Sequence, residues 1–397
     1  MSKLVITHYD NKIASAVFED GKMVEVSLED GRSSSVIGNI YVGRVESVVK
    51  NINAAFVEFE KGVNGYYSLE DNTNHIFLNR KNTDMVCQGD LILVQAERDA
   101  LKTKPAMLSS GIEFSGKYAA LKRNMKGIHI SAKITDVKLK KALKKALKPF
   151  LSEEYGFVAR TNCETLFDGE QFLEEELVCE AGRLINEYET VMRIAPTKKA
   201  FTKLYGNKPE YLNKVIDARM DELEAVVTDI PIVYHTIEAL GDKAVFEKLR
   251  LYTDHLFPLS KLYNVESQIR DALKERVWLK SGAYLVMQPT EALTVIDVNT
   301  GKFIGNKKKE DGFLKVNLEA AKEIGRQLRL RNYSGIILVD FIDMKKSESK
   351  EKLMAALRGI VAKDKVRTAV IDMTKLGLVE ITRKKIKKPL HEQVKNC

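Results

Sequence analysis

The sequence predicts an α+β chain of several compact units, and three observations carry that prediction. At 397 residues the chain exceeds one ordinary hydrophobic core, so about two to four units are expected. Short apolar runs follow one another closely between Val36 and Lys117, a spacing that suits a small barrel of the OB type. Near the other end, Leu293-Thr-Val-Ile-Asp297-Val-Asn299 and Ile336-Ile-Leu-Val-Asp340-Phe-Ile-Asp343 read as buried strands, which predicts an α/β unit from about Trp278 to Lys388.

Taken in order, residues 2–29 alternate apolar and polar positions, broken at Asp10-Asn11 and Asp20-Gly21, which suit hairpin turns. The barrel strands are expected at Ile40–Val49, Ala54–Glu60, Gly65–Leu69, Leu91–Glu97 and Met107–Ser109. Gly127–Ile130 and Gly156–Thr161 then flank Val137–Phe150, where Leu139, Leu143, Ala146, Leu147 and Phe150 make one helical stripe. Phe172–Met192 and Ala195–Val227 read as helices joined through Pro196, Ile232–His235 as a strand and Ser267–Lys274 as a helix. Between the two aspartate-ended runs, Leu318, Ala321, Gly325 and Leu328 recur at helical spacing within Asn317–Arg331. A crossover helix joins parallel strands, and working groups in such sheets gather at the strands' carboxyl ends.

Asp297 and Asp340 fall at such ends. Converging carboxylates repel one another unless a cation neutralises them, and hard oxygen ligands beside the amide of Asn299 suit Mg²⁺ or Mn²⁺. That pattern points to phosphodiester chemistry. Aspartates that merely end strands at the surface would leave the same pattern.

The segments Thr294-Val-Ile-Asp297-Val-Asn299, Asn317-Leu-Glu-Ala-Ala-Lys-Glu-Ile-Gly-Arg-Gln-Leu-Arg-Leu-Arg331 and Val339-Asp340-Phe-Ile-Asp343-Met344 together closely resemble the catalytic region of the ribonuclease E/G family. The resemblance runs from about residue 1 to the end and is to the members without a long disordered tail. It implies a Mg²⁺-dependent endoribonuclease acting on single-stranded RNA, with Asp297 and Asp340 holding the metal and Asn299 positioning the metal or its water. Gly38-Asn-Ile-Tyr-Val-Gly43-Arg-Val, Ala55-Phe56-Val-Glu-Phe59 and Gly65-Tyr66-Tyr67 resemble the family's S1 RNA-binding domain, which implies that Phe56 and Tyr66 stack on bases and Lys104 stands beside them. Phe59 fits the barrel core better. Arg160 and Thr161 match a pocket sensing a 5′-monophosphate, with Gly127 a further match, and Arg367 matches an RNA-contacting arginine. A guanidinium beside a hydroxyl is suited to a terminal phosphate, although an exposed ion pair with the acidic stretch would also account for Arg160.

The layout so implied is a ribonuclease-H-like scaffold (1–35 plus 210–277), an S1 domain inserted in it (36–118), a 5′-sensor region (119–209) and a DNase-I-like catalytic subdomain (278–388). Residues 389–397 would begin a zinc link. Family members continue into a Cys-x-x-Cys zinc link and a small dimerisation domain, whereas here Cys397 stands where the first zinc cysteine is expected. One such cysteine cannot build a four-ligand site, so zinc is not expected and homodimer formation should be weakened.

Net charge is +9, and its distribution is informative. Lys117–Pro149 holds eleven Lys/Arg and one acid, so the remainder sums to −1, while Glu164–Thr190 holds nine acids and one Arg. A basic stripe of this density attracts phosphate backbones. A solvated helix face would look the same, and a membrane-surface helix is disfavoured by moderate apolarity and the lack of Trp. Thr300–Lys315 reads as a basic loop, with Lys302, Lys307, Lys308, Lys309 and Lys315 among Gly301, Gly305 and Gly312, suited either to holding a strand of RNA or to simple solvation. No run is long enough to span a bilayer and the start lacks a signal-peptide core. Cys87, Cys163, Cys179 and Cys397 lack metal or disulfide-framework spacing. A cytoplasmic protein is expected. The rival reading, a non-catalytic RNA-binding factor, is weakened by the joint presence of Asp297, Asn299 and Asp340.

Overall fold

The computed structural model describes residues 2–30, 35–79, 83–100, 104–206, 208–301 and 309–395. It divides into two compact units, residues 1–32 with 223–397 and residues 33–222.

In the first unit, strands Ser2–Tyr9, Lys12–Glu19 and Lys22–Asp30 form an antiparallel meander. Its turns fall at Asp10-Asn11 and Asp20-Gly21, with Asp10, Asp20 and Gly21 at positive φ, the backbone that tight hairpins demand. Strand Leu223–Thr228 joins the first strand in parallel and Leu249–Leu251 joins Leu223–Thr228 in parallel, giving five strands. Two expectations are corrected here. Ile232–His235 is not a strand but part of helix Pro231–Glu238: Pro231 occupies the first turn, where its missing N–H costs nothing, and Val233 and Ile237 bury at i, i+4 spacing. Ala195–Val227 is not one helix. Pro209 starts a short helix Glu210–Ile216, Lys203–Tyr205 is a strand, and the β-branched run Leu223–Thr228 alternates into the sheet.

The rest of this unit is a six-stranded sheet in the order Arg276–Trp278, Tyr284–Pro289, Leu293–Asn299, Gly335–Asp340, Val379–Arg383, Thr368–Met373. The central pair is parallel and the others antiparallel, as the strand, helix, strand pattern requires. The connecting helix runs Lys309–Arg331, longer than the periodicity indicated, so Lys309, Gly312 and Lys315 are helical rather than in a loop. Lys302, Gly305, Lys307 and Lys308 lie outside the described residues, as does Cys397. Val316, Ala320, Ala321, Ile324 and Leu328 bury against Ile296, Ile337, Val339 and, from helix Ser347–Val361, Leu353 and Leu357. Gly325 lets the two helices approach: an added Cβ would overlap Ile360. Leu330 and Leu390 enter the core under the N-terminal strands, among Val5, Phe18 and Val26.

In the second unit, strands Ile40–Val49, Ala54–Glu60, Val63–Ser68, Leu91–Arg98 and Ala106–Ser109 close into a barrel through pairing of the first with Leu91–Arg98. Closure brings backbones together at Gly43, where a Cβ would come within 2.5 Å of Val57 Cγ1. A separate four-stranded sheet orders Ile128–Ile130, Tyr155–Ala159, Ala119–Arg123, Glu113–Ser115. Helix Val137–Leu147 is capped by Asp136, whose carboxylate accepts from Leu139 N at 2.8 Å. Its stripe of Leu139, Leu143, Ala146 and Leu147 shares one core with Leu177, Leu184 and Tyr188 of helix Glu174–Ile194, leaving its lysines outward.

Candidate active site

Strands Leu293–Asn299 and Gly335–Asp340 alternate buried and open positions. Asp297 and Asp340 are register partners in the parallel pair, so their Cα atoms are about 4.8 Å apart. Both lie exposed on the face away from the crossover helix. Asn299, two residues on and therefore on the same face, donates from Nδ2 to Asp297 Oδ2 at 2.7 Å. Partial burial, then the Asp297 carboxylate, then that of Asp343 raise the pKa of Asp340 above its ordinary value, as expected of a partly desolvated carboxyl with like charges beside it.

A third carboxylate thus belongs to this locality although the sequence pattern singled out two. The turn carrying Asp343 is held by Asn317, fully buried, whose Nδ2 donates to Ile342 O at 2.8 Å and whose Oδ1 accepts from Ile342 N at 3.1 Å. The helix therefore fixes the segment that follows Asp340. Among the described residues no three His, Cys, Asp or Glu side chains form a ready-made metal cage. Two carboxylates, an amide and an open face fit a hard cation that keeps several waters or takes phosphate oxygens.

Arg367 is exposed and precedes Thr368, which pairs with Arg383, itself opposite Gly335. It stands at the end of the sheet opposite Asp340, about 20 Å away along the strands. The structure does not bring it to the aspartates.

On the barrel, Phe56 and Tyr66 are cross-strand partners, half-buried on the outer face, with ring centroids 6.3 Å apart at 76°. Met107 continues the row beside Tyr66. Phe59 points inward, 1% exposed, against Tyr41. Lys104 is exposed, two residues before Ala106, the partner of Gly65.

Arg160 ends strand Tyr155–Ala159 and Thr161 begins the following 3₁₀ turn. The guanidinium is 31% exposed and reaches Asp217 Oδ1 at 2.8 Å through Nη2, while Nη1 donates to the carbonyl of Gly116. The Thr161 and Ser131 hydroxyls are 3.1 Å apart. Gly127 is not brought to this pocket: it lies beside Phe157, whose N–H donates to the Gly127 carbonyl at 3.0 Å, about 10 Å back along the strand from Arg160. The glycine that Arg160 does contact is Gly116, through its carbonyl. There an added Cβ would run into the Glu180 carboxylate, which accepts from the backbone N–H groups of Lys117, Tyr118 and Ala119 at 2.7, 2.7 and 2.8 Å.

Comparison with known proteins shows the family to which the chain belongs. The model of the Ribonuclease E/G family matches residues 113–386. Ribonuclease G of Salmonella typhimurium (strain SL1344) is 30% identical over 411 residues, covering 100% of this chain and 82% of the relative. Ribonuclease G of Haemophilus influenzae (strain ATCC 51907 / DSM 11121 / KW20 / Rd) is 32% identical over 402 residues, covering 98% and 80%. Ribonuclease E of Synechocystis sp. (strain ATCC 27184 / PCC 6803 / Kazusa) is 30% identical over 402 residues, covering 99% of this chain and 58% of the relative. With the family model spanning most of the chain and the paired aspartates lying inside the matched segment, the chain belongs to the ribonuclease E/G family.

Proposed function

We propose that this chain is a Mg²⁺-dependent endoribonuclease that cleaves single-stranded RNA in RNA processing and decay and prefers 5′-monophosphorylated ends. The observation carrying the proposal is the register pairing of Asp297 with Asp340 on an open face, with Asn299 bonded to Asp297. Asp297 and Asp340 would hold Mg²⁺, or Mn²⁺ in its place. A divalent ion held so supplies positive charge to a phosphoryl oxygen and lowers the pKa of a bound water. Asn299 fixes the orientation of the Asp297 carboxylate, and Asn317 fixes the segment after Asp340.

The barrel supports an S1 reading, in which Phe56 and Tyr66 offer π-faces to unpaired bases and Lys104 offers charge to the backbone. The N-terminal sheet, three antiparallel strands extended by two parallel ones, supports the ribonuclease-H-like scaffold, and the six-stranded sheet backed by helices supports the DNase-I-like subdomain. Arg160 and Thr161 form the 5′-phosphate sensor, the Arg160 guanidinium being held on two sides by Asp217 and Gly116. Arg367 would serve RNA remote from the cut, given its place on the sheet.

Asp297→Asn and Asp340→Asn should each reduce cleavage of a 5′-monophosphorylated single-stranded RNA by orders of magnitude while RNA affinity is retained, because each removes one carboxylate and leaves the barrel intact. Undiminished, EDTA-insensitive turnover in both variants would refute the assignment.

A further inference from the structure

We propose that Trp278 and Tyr284, with Arg276, form a stacking site for an RNA base close to the scissile phosphate. The proposal rests on the ribonuclease reading above and adds a subsite to it. Trp278 pairs with Tyr284, and Tyr284 pairs with Asn299. Directly opposed residues on neighbouring strands share a face. The three therefore form one row across the sheet, on the face that carries Asp297 and Asp340. Two strand spacings put Trp278 about 10 Å from Asn299, a reach spanned by a neighbouring nucleotide.

The chemistry of the patch fits a nucleobase joined to a phosphate. Trp278 is the single tryptophan of these 397 residues and is 57% exposed, so its ring is open to a stacking partner. Its ring lies 5.1 Å from that of Tyr284 at 56°, and the Arg276 guanidinium sits 4.6 Å from the Tyr284 centroid and 5.9 Å from that of Trp278. Arg276 thus fixes both rings by cation–π contact. It also pairs with Val286, the partner of Asp297, so its charge lies in the row of the aspartates, where a polyanion must pass. A second copy of the chain would also cover an exposed ring. The guanidinium at its edge and the row shared with Asn299 favour the nucleotide.

Because no other tryptophan is present in the 397 residues, the emission of this chain reports this ring alone. Titration with a short 2′-O-methyl oligoribonucleotide in EDTA should quench that emission in step with binding followed by anisotropy of the labelled oligonucleotide. Trp278→Ala should weaken that binding roughly 5- to 150-fold, the range for loss of one base–aromatic stack, and Trp278→Phe should restore most of it. Binding with unchanged emission, or unchanged affinity in Trp278→Ala, overturns the site. So does emission that varies with protein concentration without RNA, together with sedimentation showing self-association lost in Trp278→Ala. Absence of any binding by the wild-type protein in the anisotropy arm defeats the ribonuclease reading itself, whereas binding without quenching defeats only the stacking site.

Discussion

Asn317→Ala isolates the clamp behind Asp340. The side chain is fully buried and makes two hydrogen bonds to one residue, Nδ2 to Ile342 O at 2.8 Å and Oδ1 from Ile342 N at 3.1 Å. Each is worth about 1 kcal/mol net, and leaving two half-buried backbone groups without partners adds to the loss, so about 2 to 4 kcal/mol should disappear from the unit's stability. Asn317→Asp should lose nearly as much, since its second oxygen would face the Ile342 carbonyl instead of donating to it. Urea unfolding followed by far-UV circular dichroism would measure the stability change. Amide hydrogen exchange at Ile342 should quicken by a larger factor than in the barrel strands. Cleavage should fall through kcat more than KM, because the clamp orients the segment after Asp340. Full kcat with a stability loss below about 0.5 kcal/mol would show that the clamp neither stabilises nor positions anything.

Phe56→Ala and Tyr66→Ala should each weaken RNA binding by about 1 to 3 kcal/mol with little loss of stability, whereas Phe59→Ala should cost about 3 to 5 kcal/mol of stability; earlier melting with unchanged binding in the first two would assign them to the core. Arg160→Ala should slow cleavage of a 5′-monophosphorylated oligonucleotide towards the rate of its 5′-hydroxyl counterpart, and equal slowing of both would remove the sensor role. Burial pushes the Cys163 thiol up to about 12 from 9.0, so native protein at mildly alkaline pH should be alkylated at the exposed Cys87 and Cys179 and spared at Cys163, as read by peptide mass mapping. Since the folded pKa lies above the unfolded one, the stability contributed by keeping this thiol neutral is complete below about pH 8.5 and lost as pH rises towards 12; replacing Cys163 by Ala should flatten that alkaline decline.

Where turn chemistry and alternation agree, the elements were readable from residues alone. Ile40–Val49, Ala54–Glu60 and Leu293–Asn299 end where the sequence places them. Ile232–His235 deceived because its first residues are β-branched, yet Pro231 and the Val233, Ile237 spacing outweigh that preference. The surroundings of Arg160 show a different gap. Gly116 and Arg160 are far apart in sequence and meet because Ala119 pairs antiparallel with Ala159, whereas Gly127 is closer in sequence but precedes Ile128–Ile130, a strand parallel to Tyr155–Ala159. Asn317 looked like any polar residue at a helix face. Only the path of the chain after Asp340 makes it a clamp.

With Asp297 and Asp340 as the proposed metal-holding pair, their pairing also sets the order in which this protein can become active during synthesis. The two carboxylates meet only when a parallel crossover closes, the slow kind of contact because loop entropy is lost before pairing returns any of it. Strand Gly335–Asp340 is in turn held on its other side by Val379–Arg383, so its register is secured only after residue 383 has left the ribosome. Until then the nascent chain carries a complete barrel sequence beside the very messenger that encodes it, yet has no centre with which to cut it.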